Sequence, residues 1–338
     1  VQQQETGLEY AGSSLNALFA QRRNLLRPAF YRMLRDILRF NKEALPDTDG
    51  LGDAVTSGAY FSQKDYGKEF IDHYLVPMAA AIWSAEPVAV LDMPIKFLVR
   101  FFANHGLLQT SGRPTWRVIT GGSREYVRKL VAGHHDRIRL NSPVQSIRRV
   151  GSKIELRSAS GGKENFDYVF VACHSDQALR LLADPTAAER EVLGAIRYQK
   201  NEAILHTDAA LMPTRRLAWA AWNYHIPQDQ ERHVAVTYNM NILQGLNTRK
   251  DYLVTLNNDQ DIDPGKIIQR IQYEHPVFSR EAIGAQRRQA EVNCDRTFFC
   301  GAYWRNGFHE DGVVSALNAL RHFEERLGNA QLHLRRAS

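Results

Sequence analysis

At 338 residues, 44% of them apolar and 24% charged, the chain is long enough for two globular domains and too apolar for a disordered or fibrous protein. Its net charge of +6 and pI near 9.2 are mild for this length, and no aromatic-plus-basic motif accompanies them, so no nucleic-acid partner is expected. Cys173, Cys294 and Cys300 form no C-x-x-C pair and too few ligands for a structural metal, which excludes a disulfide framework and points to a reducing, cytoplasmic setting.

Cys294 and Cys300 could pair in principle. No run reaches the ~18–20 apolar residues of a membrane span. The start Val1-Gln2-Gln3-Gln4-Glu5 is neither a signal peptide nor an initiator Met. It suggests a processed or truncated chain.

Residues 6–19 read as a short strand or hairpin around Leu8-Glu9-Tyr10 that turns at Gly12-Ser13-Ser14. Residues 21–45 read as a helix, with Leu25, Leu26, Phe30, Leu34, Ile37, Leu38 and Leu45 near one side and Pro28 at a start or break. Arg22, Arg23, Arg27, Arg32, Arg35, Arg39 and Lys42 lie off that side. Such a basic helix can lie on an anionic lipid surface as a peripheral contact, or it can be a packed helix with a solvated basic face.

Further helices are expected over Thr56–Phe61, Glu69–Trp83 and residues 93–106. Trp116 to Thr120 reads as a strand, followed by Gly121-Gly122 and a helix with Ser123 as N-cap. Strands are expected at Ile138–Leu140, Pro143–Arg149 and Lys153–Arg157, and Phe166 to Cys173 is a near-continuous apolar run of the kind buried in a parallel sheet. Cys173-His174-Ser175-Asp176 holds the parts of a cysteine hydrolase, but neighbours on one strand end cannot easily face each other, which argues against a triad.

From residue 195 to 290 the pattern changes to alternating strands, at Arg197–His206, Leu217–His225, His233–Asn241 and Asp251–Leu256, with turns that include Pro227-Gln228-Asp229. A helix is expected over Ile262–Tyr273, with Asp263-Pro264-Gly265 at its start.

The most informative stretch lies near the end. Thr297 to Cys300 reads as a strand that stops at Gly301, and a helix follows whose apolar positions are Val313, Ala316, Leu317, Leu320 and Phe323. Asp311 is the expected N-cap. A strand, a glycine and a helix start leave free backbone N–H groups that suit an anion or a polarised carbonyl.

Gly301-Ala302-Tyr303 with Gly307-Phe308-His309-Glu310-Asp311-Gly312-Val313-Val314-Ser315-Ala316 resembles the C-terminal flavin-binding motif of the flavin-containing amine oxidase superfamily, most of all its bacterial branch of predicted NAD/FAD-binding oxidoreductases. Pro77-Met78-Ala79-Ala80-Ala81-Ile82-Trp83-Ser84 and the block from Pro143 to His174 are similar to other segments of that branch.

The resemblance implies an α/β fold with a Rossmann-like FAD domain over 114–180 and 291–330, and an inserted domain of antiparallel sheet and helices over 6–113 and 181–290 that holds a small-molecule substrate. It implies that Gly301 and Ala302 approach the FAD pyrophosphate and ribityl chain. It sets Asp311, Gly312 and Val313 against the flavin N1/C2=O edge, has Val144 hold the adenine through its backbone, and puts Ala172 and Cys173 near the cofactor.

Phe308 falls where relatives face the substrate, and a Phe there favours an apolar or lipid-like substrate over an amine. Lys200 is the candidate for the lysine that relatives place near N5, against the reading of a plain surface lysine. His309 is a candidate for proton transfer or a polar helix-start group. A full G-x-G-x-x-G segment is missing, since Gly50-Leu51-Gly52 follows no strand and lacks the third glycine. The chain is thus expected to be a fragment of a longer flavoprotein, with FAD retention in doubt. Two functions are weighed: a flavin-dependent oxidoreductase that passes a hydride to N5, and a cofactor-free binding or lipid-surface protein that keeps the fold.

Overall fold

The computed structural model describes residues 1–112, 114–115, 117–226 and 235–337, with side chains to residue 328. Trp116, the turn at Pro227-Gln228-Asp229 and His233 lie outside the described residues. The strands are β1 (Gln2–Gln3), β2 (Leu8–Glu9), β3 (Val144–Val150), β4 (Lys153–Ser158), β5 (Lys163–Phe166), β6 (Val169–Val171), β7 (Tyr198–His206), β8 (Trp222–Ile226), β9 (Ala235–Asn239), β10 (Leu253–Leu256), β11 (Ile267–Pro276) and β12 (Thr297–Phe299).

The chain forms two compact units, Val1–Lys129 with Gln199–His275, and Leu130–Tyr198 with Pro276–Ser338. The boundaries expected at 114, 181 and 291 therefore fall elsewhere. Residues 181–198 and 276–290 join the second unit because Leu182, Val192, Leu193, Ala282 and Ala285 pack into one core with Ile147 and Phe299.

The first unit carries a seven-stranded mixed sheet in the order β11-β7-β10-β9-β8-β1-β2. β7, β10, β9 and β8 pair antiparallel, and β1 runs parallel to β8. The helix expected over Ile262–Tyr273 is instead the edge strand β11. Asp263 accepts the Gly265 N–H and caps only a single tight turn, and the Ile- and Tyr-containing residues beyond it take a place beside β7. Long-range pairing overrides the helical spacing there.

The helices of this unit pack around phenylalanines. Phe40, Phe61, Phe70 and Phe102 are fully buried, and Phe40 lies 5.4 Å from Phe70 and 6.0 Å from Phe61, centroid to centroid. The helix Pro28–Asp49 begins at Pro28, where the missing N–H costs nothing. Its buried stripe is Phe30, Met33, Asp36, Phe40, Ala44 and Thr48, whereas Leu25, Leu26, Leu38 and Leu45 are exposed.

Several cations on and before this helix are tied to the protein. Arg32 pairs with Glu69, Arg39 donates to the Lys64 carbonyl at 2.8 Å and sits 3.9 Å over the Tyr66 ring, and Arg23 donates to the Gly7 carbonyl at 2.7 Å. That is the packed-helix reading, and it weighs against a lipid-surface role.

Further along, a π-helical turn at Ile71–Leu75 leads into the helix Val76–Trp83. Pro77 has no N–H to give the His73 carbonyl, four residues back. That carbonyl accepts the Tyr10 hydroxyl at 2.5 Å.

The second unit holds the antiparallel sheet β3-β4-β5 and the parallel pair β12-β6. β12 is buried along its length, and its period of two sends Phe299 into the core with Val171 and Trp304, and Phe298 toward Phe170, Ala319 and Phe323. Phe170 is half-exposed, because β12 is the strand that β6 pairs with among the described residues. The expected strands at 117–120 and Ile138–Leu140 do not form; Val118, Ile119, Ile138 and Leu140 are exposed. Gly121 and Gly122 take φ of +84° and +86°, which a glycine adopts freely, and the helix Arg124–Val131 follows.

Candidate functional site

The site builds from two strand ends. β6 and β12 run parallel in the register Val169↔Thr297 to Val171↔Phe299, so Ala172-Cys173 and Cys300-Gly301 leave the sheet side by side. The Cys300 N–H donates to the Val171 carbonyl at 3.1 Å and carries the pairing one residue further. In α/β folds the carboxyl ends of parallel strands are where ligands bind.

Gly301 has to be small. A Cβ built there would stand 2.5 Å from Cε1 of Tyr303, a ring buried in the core beside Trp304. The Gly301 N–H donates to Oγ of Ser315 at 2.8 Å, and that hydroxyl donates to the Gly312 carbonyl at 2.8 Å. One buried hydroxyl thus ties the strand end to the first turn of the helix His309–Ala337.

Three amides brace the surroundings. Gln286 donates to the Tyr303 and Arg305 carbonyls at 2.8 and 2.6 Å, Gln289 to the Phe299 carbonyl at 3.1 Å, and Asn293 accepts the Phe299 N–H at 2.6 Å. Sequence reading missed Ser315, Gln286, Gln289 and Asn293. Only Ser315 left a trace, since it stands one helical turn after Gly312.

Asp311 is not the N-cap. It is the third residue of the helix, and its carboxylate reaches back to accept the Phe308 N–H at 3.0 Å, with Arg305 3.6 Å away. Its charge is spent on fixing the turn between Arg305 and the helix.

The Gly312 N–H is likewise used, donating to the Phe308 carbonyl at 3.1 Å. A Cβ at Gly312 would have no heavy atom within 4 Å, so the backbone there is open to approach.

Val313, Leu317 and Leu320 are exposed, while Ala316, Ala319 and Phe323 pack on Phe298. The expected apolar face is therefore split in two. Phe308 is half-buried and His309 exposed.

Cys173 is half-buried, and burial pushes its thiol up, the opposite of a reactive thiolate. His174 stacks on Tyr198 at 4.3 Å and stands 4.0 Å from Asp176. The Tyr198 hydroxyl accepts the Ser175 N–H at 2.9 Å, and burial raises its pKa to about 12. No hydrolase triad assembles there. All three cysteines are free thiols, so Cys294 and Cys300 do not pair.

The structure joins Ala172, Cys173, Gly301, Ala302, Asp311, Gly312 and Val313 in one place. Val144 is at the exposed start of β3, whose tie to β12 runs through Arg149 and the Thr297 hydroxyl at 2.7 Å, about 17 Å along the strand. Lys200 is an exposed residue of β7 in the first unit. Among the described residues no cluster of three His, Cys, Asp or Glu could hold a metal ion, and no helix is long and apolar enough to cross a membrane.

Comparison with solved structures finds the same fold at low identity. A conjugated-linoleic-acid-producing fatty acid isomerase from P. acnes superposes with a TM-score of 0.57 at 12% identity, covering 84% of this chain and 73% of that one. A variant of putrescine oxidase gives 0.58 at 13%, covering 88% and 76%, and cyclohexylamine oxidase from Brevibacterium oxydans 0.54 at 12%, covering 92% and 76%. No curated protein matches the sequence. The family model for flavin containing amine oxidoreductase matches residues 7–228, well over half of the sequence, and the chain belongs to that family of oxidoreductases.

Proposed function

We propose that the protein is an FAD-dependent oxidoreductase that takes a hydride from a small-molecule substrate, with the strand-end site of the second unit holding the flavin. The observation that carries this reading is the convergence of two parallel strand ends and a helix N-terminus, locked by Gly301, Ser315 and Gly312. The family match stops at residue 228, so this placement rests on the geometry of the site itself.

The residues fit the flavin end of such a cofactor. Gly301 and Ala302 would approach the cofactor at the strand end, Gly312 faces open space, and the first-turn N–H groups of the helix supply a positive field for charge that builds on a bound ring. The Asp311 carboxylate is turned back onto the Phe308 N–H, with Arg305 3.6 Å away to balance its charge in part. Val144 would hold the adenine through its backbone, and Ala172 and Cys173 would flank the cofactor at the neighbouring strand end.

A bound flavin supplies hydride acceptance at N5 and electron transfer to an acceptor. The chain's own part is to orient the substrate, with Phe308 as the aromatic side chain facing it and His309 moving a proton at the helix start, and Lys200 is the candidate lysine for the chemistry. Phe308 in place of a hydroxylated ring favours an apolar substrate.

The test is the visible spectrum of the protein purified from its complete reading frame, followed by anaerobic addition of amines and of fatty-acyl compounds. Flavin absorbance that bleaches with one class supports the reading. A folded protein with no bound flavin, before or after reconstitution with FAD, would sink it.

A further inference from the structure

The first unit contains a cavity of about 430 Å³, within the ~300–1,000 Å³ range of small-molecule sites. Its walls follow from the sequence. The helix Val76–Trp83 contributes Met78, Ala81 and Ile82, and the β8 region contributes Ala221, Trp222 and Tyr224. Alanine at 81 and 221 leaves volume that larger residues would fill.

The turn before this helix is tied to the wall by Tyr10, itself a lining residue, whose hydroxyl donates to the His73 carbonyl. Among the described residues, no charged side chain lines the cavity. Burial keeps the Tyr224 hydroxyl protonated by raising its pKa.

We infer that this cavity takes the uncharged apolar body, alkyl or aryl, of a small molecule and rejects a body that carries a second charge. The argument is one of desolvation. An ammonium moved into these walls finds no carboxylate to compensate it, while methylenes meet methyl, thioether and ring surface. Met78 adds an adaptable wall that tolerates different shapes. That the occupant is the body of the oxidised substrate rests on the proposed function; the ligand class rests on the cavity.

The experiment is a titration of the full protein with 1-octanol and with 1,8-diaminooctane, read by tryptophan fluorescence and referenced to Trp222→Phe. A saturable change with octanol is expected, with the diamine at least about tenfold weaker. Ala221→Phe and Ala81→Leu, each checked for folding by circular dichroism, are expected to weaken octanol at least about tenfold by filling the space.

Equal binding of the diamine, no saturable response to octanol, or wild-type affinity in both folded variants would overturn the inference. Flavin absorbance is measured on the same samples. Flavin-loaded protein that ignores octanol overturns the cavity assignment alone, and an octanol response in protein that binds no flavin overturns only the identification of the occupant as substrate.

Discussion

Replacing Gly301 by Ala tests whether the strand-end site is built as described. The added Cβ would lie 2.5 Å from Cε1 and 2.8 Å from Cδ1 of Tyr303, about 0.7–1.5 Å inside the ~3.5–4.0 Å of normal carbon contact. The ring cannot swing out freely, because it is buried, packs 5.1 Å from Trp304 and belongs to a residue whose carbonyl is held by Gln286. Overpacking of this kind costs about 1–3 kcal/mol, or a fall in Tm of about 2–12 °C at ~2–4 °C per kcal/mol. Thermal melts of the wild type, Gly301→Ala, Tyr303→Leu and the double variant measure it. With the smaller side chain at 303 the clash disappears, so the double variant should lose at least about 1 kcal/mol less than the two single losses together. Strict additivity, or a Gly301→Ala protein as stable as the wild type, would refute the contact, and full flavin content in a destabilised Gly301→Ala would detach this turn from cofactor binding.

Asp311→Ala removes a charge-assisted bond to the Phe308 N–H, worth about 1.5–3 kcal/mol, while the half-exposed Arg305 adds at most about 1; urea unfolding should show ~2–3 kcal/mol, with Asn recovering part of it. Glu189 accepts the Thr186 N–H at 2.8 Å in a capping box and also pairs with Arg149, so Glu189→Ala should cost about 2–3 kcal/mol against ~1 for Thr186→Ala, measured by the same unfolding. Lys200→Met should leave Tm unchanged, as the side chain is exposed, and a slower anaerobic flavin reduction or reoxidation in that variant would place Lys200 in the chemistry.

Acid should weaken the first unit through its histidines. His206 accepts the Asp208 N–H at Nδ1, and a chain of hydroxyls follows: Nε2 to Thr255 at 2.7 Å, Thr255 to Thr237 at 2.8 Å, and Thr237 to His225 at 3.1 Å. Burial lowers the His225 pKa to about 4, against an opposing pull from Asp261. A lowered histidine is neutral in the fold and protonated in the unfolded chain between pH ~6.5 and ~4, so the unfolded state binds the extra proton and stability falls as pH falls through that window. The loss from His225 is at most ~3 kcal/mol. Urea midpoints at pH 7 and pH 5 should differ in the wild type and differ less in His225→Gln, and equal slopes in both would dismiss the chain as the source.

What the sequence made legible was punctuation that acts locally. The run Thr297 to Phe299 and the stop at Gly301 stand where residue type alone put them, because each depends on neighbours within a few positions, while the helix begins at His309, three residues before the start that an Asp311 cap would give. The ties that make a site of them do not. Ser315 binds Gly301 across fourteen residues and Gln286 binds Tyr303 across seventeen, and neither side chain carries a mark that names its partner. β11 was misread for the same reason, since the spacing of Ile267 and Ile271 suits a helix until β7 offers an edge to pair with. On the last helix, periodicity revealed apolar positions but not which of them the core would take: Phe298 draws in Ala316, Ala319 and Phe323, leaving Val313, Leu317 and Leu320 outside.

The cavity shows how such long-range ties bear on function. Pro77 lies inside the helix expected over Glu69–Trp83, and the His73 carbonyl four residues before it accepts the hydroxyl of Tyr10, sixty-three residues earlier in the chain. The Tyr10 hydroxyl thereby ties the turn that leads into the helix Val76–Trp83 to the segment after β2. The alanine at position 81 can then face open volume instead of being packed over. A Tyr10→Phe protein would keep the ring and lose the bond, and should loosen octanol binding while leaving the strand-end site of the second unit, and any flavin it holds, as before.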